Sequence, residues 1–137
     1  MKSGLFIKFC RYHLFSVLCG ILIIVLCTVK LPPQDNDISI PYLDKVVHFM
    51  MYLALSLSYI TERFLSAKRN PIKPAATYLL TLAISFIIGG LIELVQAYLT
   101  SYRSGDIIDL LCDVCGSLTA ILIVSIFRYY RRRIIKN

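Results

Sequence analysis

Side chains that can carry charge or form hydrogen bonds recur at helical spacing inside two apolar segments of the chain. Asp44, His48 and Tyr52 are four residues apart, which places them on one face of a helix. Glu93 and Gln96 are three residues apart and share a face in the same way. Carboxylate, imidazole, phenol and amide groups bind polar ligands or metal ions and transfer protons, so these faces are candidate functional surfaces.

A third acidic face begins later in the chain. Asp106, Asp109 and Asp113 fall at positions i, i+3 and i+7, and Gly116 and Ala120 roughly continue the same stripe. Small residues on a helix face let a neighbouring helix approach closely. The pattern therefore predicts that another helix lies close to this face.

Structural explanations compete with functional ones. Asp44 and Asp106 precede helices and suit N-caps, while His48 can hydrogen-bond a backbone carbonyl or a tyrosine. Glu93 is harder to explain structurally, because it lies deep in an apolar segment, where an ionisable group costs at least a few kcal/mol.

Two cations accompany these acidic residues. Lys45 directly follows Asp44, and Arg103 lies in the connection before Asp106, at about the same predicted level in the membrane as Lys45. Asp109 can pair with either cation as a structural salt bridge, or the mixed charges can contact a ligand.

The elements that carry these residues are apolar enough for a membrane. The chain has 137 residues, 58% of them hydrophobic, and a mean hydropathy of +0.72, more than a small soluble domain can bury. A membrane span needs about 20 apolar residues. We expect a single integral membrane domain over residues 1–137, an all-α four-helix transmembrane bundle with helices at about 12–31, 44–62, 75–99 and 107–127.

Charge distribution predicts the orientation of the helices. Fifteen Lys and Arg residues oppose eight Asp and Glu, and most of the cations lie in the N-terminal segment, the second connection and the C-terminal tail. Cytoplasmic loops are enriched in Lys and Arg, so we expect both termini in the cytoplasm. The polar residues then share one level in the outer leaflet. Basic residues at the ends of apolar segments argue against nucleic-acid binding.

Other local features carry less information. The first apolar segment follows Lys2, Lys8 and Arg11 but is not followed by a small-x-small cleavage site, so an uncleaved anchor is expected. Cys112 and Cys115 form a lone C-x-x-C inside an apolar helix, for which burial as small hydrophobic residues is the simpler interpretation. No disulfide framework, cofactor or metal site is assigned.

The polar faces also resemble a known family. The stretch from Asp44 to Phe49, followed by Tyr52, resembles the first signature of VanZ-like membrane proteins. The stretch from Gly90 to Gln96, followed by Arg103, Asp106, Asp109 and Gly116, resembles the second, and Asp113 stands where asparagine is expected. The resemblance covers about residues 44–116. It implies a small multi-pass protein of the bacterial cytoplasmic membrane, in a family whose namesake is linked to teicoplanin resistance.

Three functions remain open at this stage. In the first, the ten polar residues bind the head of an outer-leaflet ligand, such as a polyprenyl-linked cell-wall precursor or another anionic lipid, with Lys45 and Arg103 on phosphate. The second is an intramembrane enzyme that uses His48, Glu93 and Asp109 for metal or acid–base chemistry. In the third, the polar residues only join helices. The ten residues are Asp44, Lys45, His48, Tyr52, Glu93, Gln96, Arg103, Asp106, Asp109 and Asp113.

Overall fold

The computed structural model describes residues 13–29, 42–66, 73–99 and 105–136. These ranges contain four α-helices and no strand, as the all-α prediction required. We label them α1 (Leu14–Thr28), α2 (Leu43–Ser66), α3 (Pro74–Leu99) and α4 (Ile107–Lys136). Three of them, α2, α3 and α4, are long and apolar enough to cross a membrane. The described part of α1 is also apolar, with 15 residues.

Two helices extend beyond their predicted ends. α2 passes Glu62 and Arg63 and ends at Ser66, and α4 continues through its basic stretch to Lys136. Arginine and lysine are good helix formers, so a change from apolar to basic sequence does not end a helix. α4 also packs on α2 here, since Cζ of Arg128 lies 3.9 Å from the centroid of the Phe64 ring.

α2 and α4 run in the same direction and pack closely against each other, while α3 runs antiparallel to both. A Cβ added to Gly116 on α4 would overlap the backbone carbonyl oxygen of Phe49 and lie 3.0 Å from the amide nitrogen of Leu53 on α2. The close helix approach predicted from the stripe of small residues is therefore confirmed at Gly116. Ala120, one turn further along α4, is fully buried.

Hydroxyl groups join the three long helices in the middle of the bundle. The Ser56 hydroxyl on α2 donates to Ser117 Oγ on α4 at 2.9 Å, and the Ser117 hydroxyl contacts Ser85 Oγ on α3 at 2.7 Å. All three side chains are buried. Because lipid offers no hydrogen-bond partners, such groups are satisfied between helices.

α1 is attached to the other helices at both of its ends. At its start, the Glu62 carboxylate on α2 accepts hydrogen bonds from the Phe15 amide at 2.7 Å and from the Ser16 hydroxyl at 2.6 Å. A carboxylate is favourable there because the first amides of a helix lack partners and carry the positive end of the dipole. At its other end, Gln96 Nε2 on α3 donates to the carbonyl oxygen of Cys27 at 3.0 Å.

The outer surface of the bundle is apolar. Many large hydrophobic side chains face outward on every helix, including Phe15 at 68% exposure, Leu79 at 71% and Leu122 at 59%. A soluble monomer rarely exposes continuous apolar surface of this extent. The surface matches a lipid bilayer environment, so the protein has the character of an integral membrane protein.

Candidate functional site

Ionisable side chains from three helices meet at one end of the bundle, where α2 and α4 begin and α3 ends. We call this set the polar cluster. It consists of Asp44, Lys45, His48, Tyr52, Glu93, Asp106, Asp109 and Asp113.

Lys45 binds two carboxylates on the neighbouring helix. Its Nζ lies 2.7 Å from Asp106 Oδ2 and 2.9 Å from Asp109 Oδ1. The salt bridge between Lys45 and Asp109, one of the structural alternatives, is therefore present. The positive charge of Lys45 is thus compensated within the protein by these two carboxylates.

Asp106 combines three contacts at the start of α4. Its Oδ1 accepts a hydrogen bond from the Ile108 amide at 2.9 Å, which confirms a capping contact, and its Oδ2 binds Lys45. Its own backbone amide donates to Glu93 Oε2 at 2.6 Å. The Lys45 ammonium group and the Ile108 amide hold the pKa of Asp106 below its usual value.

His48 and Asp113 form a pair inside the bundle. His48 Nδ1 lies 3.0 Å from Asp113 Oδ1, and each side chain is only 1% exposed. The Asp113 side chain, where the family pattern expects asparagine, thus fixes the orientation of the imidazole ring. A bond at Nδ1 directs Nε2 away from Asp113.

One buried oxygen atom of the polar cluster, Glu93 Oε1, has no hydrogen-bond partner among the described residues. Tyr52 Oη and Asp113 Oδ2 are also buried, but these two groups interact with each other. A Cβ placed on Gly89 would lie 2.5 Å from Asp113 Oδ2 and 3.4 Å from Tyr52 Oη, so both of these atoms converge on the bare backbone of α3. Leaving a polar atom buried without a partner is costly, so Glu93 Oε1 is the atom of the polar cluster that most needs a partner.

The three residues whose ligand atoms lie close enough together for a metal ion differ from the set expected from sequence, which was His48, Glu93 and Asp109. One ligand atom from each of Asp44, His48 and Asp109 lies within 4.8 Å of the other two. Glu93 is not a member of this trio, because its carboxylate is directed to the amide at the start of α4. Asp44 is exposed, whereas His48 and Asp109 are buried.

Two of the predicted site residues are not placed in the polar cluster. Gln96 is buried, but its amide group donates to Cys27 on α1. A separation of three residues rotates a side chain by roughly 60° around the helix axis relative to Glu93, enough to change the neighbouring helix. Arg103 lies outside the described residues.

An apolar groove of about 280 Å³ lies between α1, α2 and α3. Gly20 on α1, Leu55 on α2 and Ile88 on α3 contribute to its wall. Leu55 and Ile88 pack in the same core cluster as Tyr52, so the groove begins beside the tyrosine whose hydroxyl faces Asp113. A polar site and an apolar groove are therefore adjacent.

Sequence reasoning missed the contacts at the other end of the bundle. Glu62, at the predicted end of the second helix, is only 8% exposed, and its Oε2 also lies 3.5 Å from His13 Nδ1. The only sequence signal for these contacts was the position of Glu62, an acidic residue directly before Arg63 at the end of the apolar segment. Cys112 and Cys115 are free thiols, half-buried and exposed respectively.

Comparisons with known proteins place this arrangement in a family. A relative from Schizosaccharomyces pombe, described as an uncharacterized protein, is 35% identical over 98 residues, which are 71% of this chain and 54% of the relative. The chain thus spans about half the length of that relative, and no solved structure matches it. The family model described as VanZ/LLP1 matches residues 9–128. With its apolar helices, the chain is a VanZ-like membrane protein and belongs to the VanZ/LLP1 family.

Proposed function

We propose that this protein binds a membrane lipid, with the polar head in the polar cluster and one chain in the apolar groove. The observation that carries the proposal is the buried, unpartnered Oε1 of Glu93, in a cluster of carboxyl groups beside an apolar groove. A site with a few convergent polar groups and a hydrophobic wall is the usual form of a small-ligand site.

The charges of the polar cluster restrict the chemistry of the head. The described cluster has the carboxyl groups of Asp44, Glu93, Asp106, Asp109 and Asp113. Lys45 is shared between two of them, and His48 pairs with a third. A head that enters this environment must donate hydrogen bonds or bring positive charge, as hydroxyls, ammonium groups or a cation-bound phosphate do.

The groove fits part of an acyl or prenyl chain. Its wall on α3 extends from Thr81 to Ile88, a helix length of about 10 Å. Gly20 leaves the α1 side open, since a Cβ at this position would meet no atom within 4 Å. Tyr52 connects the two regions, because its ring packs in the same core cluster as the groove residues Leu55 and Ile88 while its hydroxyl faces Asp113.

Two sources of such a lipid follow from the family. The teicoplanin link of the namesake favours a polyprenyl-linked cell-wall precursor in the outer leaflet of a bacterial cytoplasmic membrane. A match from fission yeast favours an anionic phospholipid, because both kinds of organism contain one. Both lipids join a phosphate to an apolar chain, and the measurement below separates them by mass.

The test is native mass spectrometry of the protein in mild detergent, with each lipid identified by mass. Gly20→Leu fills the groove, and Gly90→Leu is the matched control, because a Cβ at Gly90 also meets no atom within 4 Å and Gly90 does not line the groove. We expect a stoichiometric lipid on wild type and Gly90→Leu, and at least tenfold less on Gly20→Leu and Glu93→Gln. Equal retention by all four proteins, or no lipid on folded wild type, contradicts the proposal and favours a purely structural cluster.

The pairing of His48 with Asp113 supports a second candidate, acid–base catalysis on the bound lipid. A carboxylate on one imidazole nitrogen leaves the other nitrogen to exchange protons with a substrate. The measurement is turnover of the lipid found above, in wild type and His48→Gln. Turnover in wild type that His48→Gln abolishes while lipid binding persists identifies an enzyme. Unchanged lipid after prolonged incubation identifies a binding protein.

A further inference from the structure

The geometry points to a divalent-cation site formed by Asp44 and His48 of α2 and Asp109 of α4, which carries the phosphate of the lipid head. The inference rests on the proposed function for its lipid partner, but the cation site itself is independently measurable. It resolves the mismatch between an acidic cluster and an anionic head, because a bound cation attracts both.

The ligand atoms are already close together. One atom from each of the three residues lies within 4.8 Å of the other two. Oxygen and nitrogen ligands that share one ion at about 2.0–2.6 Å are themselves about 3–4 Å apart, so binding needs a contraction of about 1 Å. Asp44 and His48 are one helical turn apart, so their side chains lie on the same face of α2 and can approach one ion together.

The residues behind the ligands have the expected supporting arrangement. Asp113 holds Nδ1 of His48 at 3.0 Å, and this pair is buried. A carboxylate on the second imidazole nitrogen selects the tautomer with a free ring nitrogen for the metal and strengthens it as a ligand. Lys45 binds Oδ1 of Asp109 and leaves the second oxygen of that carboxylate available.

A separate observation, the buried Glu93 carboxyl group, also favours a bound cation at this place. Glu93 Oε1 is buried without a hydrogen-bond partner among the described residues. Glu93 lies close enough to His48, Asp109 and Asp113 to interact with them electrostatically. A buried carboxyl group beside two other carboxyl groups is costly, and a divalent cation in their midst offsets that cost.

The ligand set selects among cations. One imidazole and two carboxylates suit Mn²⁺ or Zn²⁺ better than Mg²⁺ or Ca²⁺, which prefer oxygen ligands alone. Three protein ligands leave further coordination positions open, and phosphate oxygens are suitable ligands for them. The lipid phosphate then completes the coordination and does not need a free basic side chain.

The first measurement is binding of Mn²⁺ and Zn²⁺ to protein that has been stripped with a chelator in detergent, by equilibrium dialysis and elemental analysis. Asp44→Asn removes the exposed ligand of the trio. Glu62→Gln is the control, because it removes a carboxylate at the opposite end of the bundle, outside both the trio and the polar cluster. We expect one equivalent on wild type and Glu62→Gln, and at least tenfold weaker binding by Asp44→Asn and His48→Gln. Affinities that do not distinguish Asp44→Asn from Glu62→Gln, or no stoichiometric ion on folded wild type, overturn the site.

The second measurement separates this inference from the proposed function. Lipid retention is compared by native mass spectrometry before and after the chelator, and again after Mn²⁺ is restored. Loss and recovery of a phosphate-bearing lipid support the bridging ion. Lipid that persists after complete removal of metal overturns the bridge and leaves the lipid site intact. Metal that binds without any lipid supports the ion site and contradicts lipid binding.

Discussion

His48 Nδ1 and Asp113 Oδ1 are 3.0 Å apart, and both side chains are almost completely removed from solvent. The pair joins α2 to α4 about one helical turn further along both helices than the ion pairs of Lys45. The imidazole ring of His48 is therefore oriented by a residue from another helix, and a change at position 113 acts on position 48.

Asp113→Asn should preserve this orientation, whereas Asp113→Ala should not. The asparagine side-chain oxygen still accepts a hydrogen bond from Nδ1, in keeping with the asparagine of the family pattern. Alanine leaves a buried imidazole nitrogen unpaired, which costs about 1–3 kcal/mol. Thermal unfolding in one detergent measures both variants. An asparagine variant as unstable as the alanine variant would show that the carboxylate charge, and not the hydrogen bond, is what matters.

Gly116→Ala should destabilise the bundle although the added group is a single methyl. Its Cβ would overlap the Phe49 carbonyl, so α2 and α4 would have to separate, at a cost of about 1–3 kcal/mol. Gly90→Ala is the control, since its Cβ meets nothing within 4 Å. We expect Gly90→Ala to be neutral or slightly stabilising, because alanine is a better helix former than glycine. Equal unfolding temperatures for the two variants would contradict close packing at Gly116.

Glu62→Ala should loosen the beginning of α1. The variant removes the acceptor of the Phe15 amide and the Ser16 hydroxyl, and hydrogen bonds to a charged group contribute about 1.5–3 kcal/mol. Hydrogen exchange at the Phe15 and Ser16 amides should become faster in Glu62→Ala and change less in Glu62→Gln, which keeps an acceptor oxygen. Unchanged exchange in the alanine variant would show that α1 is held by other contacts.

The contribution of Asp106 should depend on pH in a defined direction. Its pKa is lowered in the folded protein, so its charged form stabilises the fold at neutral pH, and this contribution is lost as the pH falls through the lowered value. Asp106→Asn retains a side chain that can cap α4 but has no charge to pair with Lys45. The difference in unfolding temperature between wild type and Asp106→Asn should be largest near neutral pH and shrink below about pH 4. A difference that grows as the pH falls has the wrong sign for this ion pair.

Contacts within one helix were predictable from sequence, and contacts between helices were predictable only in part. Helical periodicity alone places Asp44, His48 and Tyr52 on one face and Asp106, Asp109 and Asp113 on another, and the family resemblance, confirmed by the family match, joined the two groups in one pattern. The pairing of Asp109 with Lys45 was one of two alternatives, because the sequence does not set the rotation of one helix against another. The predicted orientation of the termini in the membrane stays a prediction.

Gln96 and Glu62 show the physical reason for the remaining differences. Gln96 follows Glu93 by less than one turn, and the angular offset of roughly 60° is enough to direct it to α1 instead of α4. Glu62 stands at a segment end, where a charged residue normally reaches water, and only the position of α1 makes it buried. Both depend on where α1 lies, which no local pattern determines.

The two attachments of α1 have a consequence for how a ligand reaches the groove. Glu62 holds the start of this helix and Gln96 holds its end, so α1 acts as a bar fixed at both ends in front of α2 and α3. For the proposed lipid chain, the open side of the groove is at Gly20, where α1 carries no side chain. Lateral entry from the bilayer at this point would leave the contacts of Glu62 and Gln96 with α1 intact.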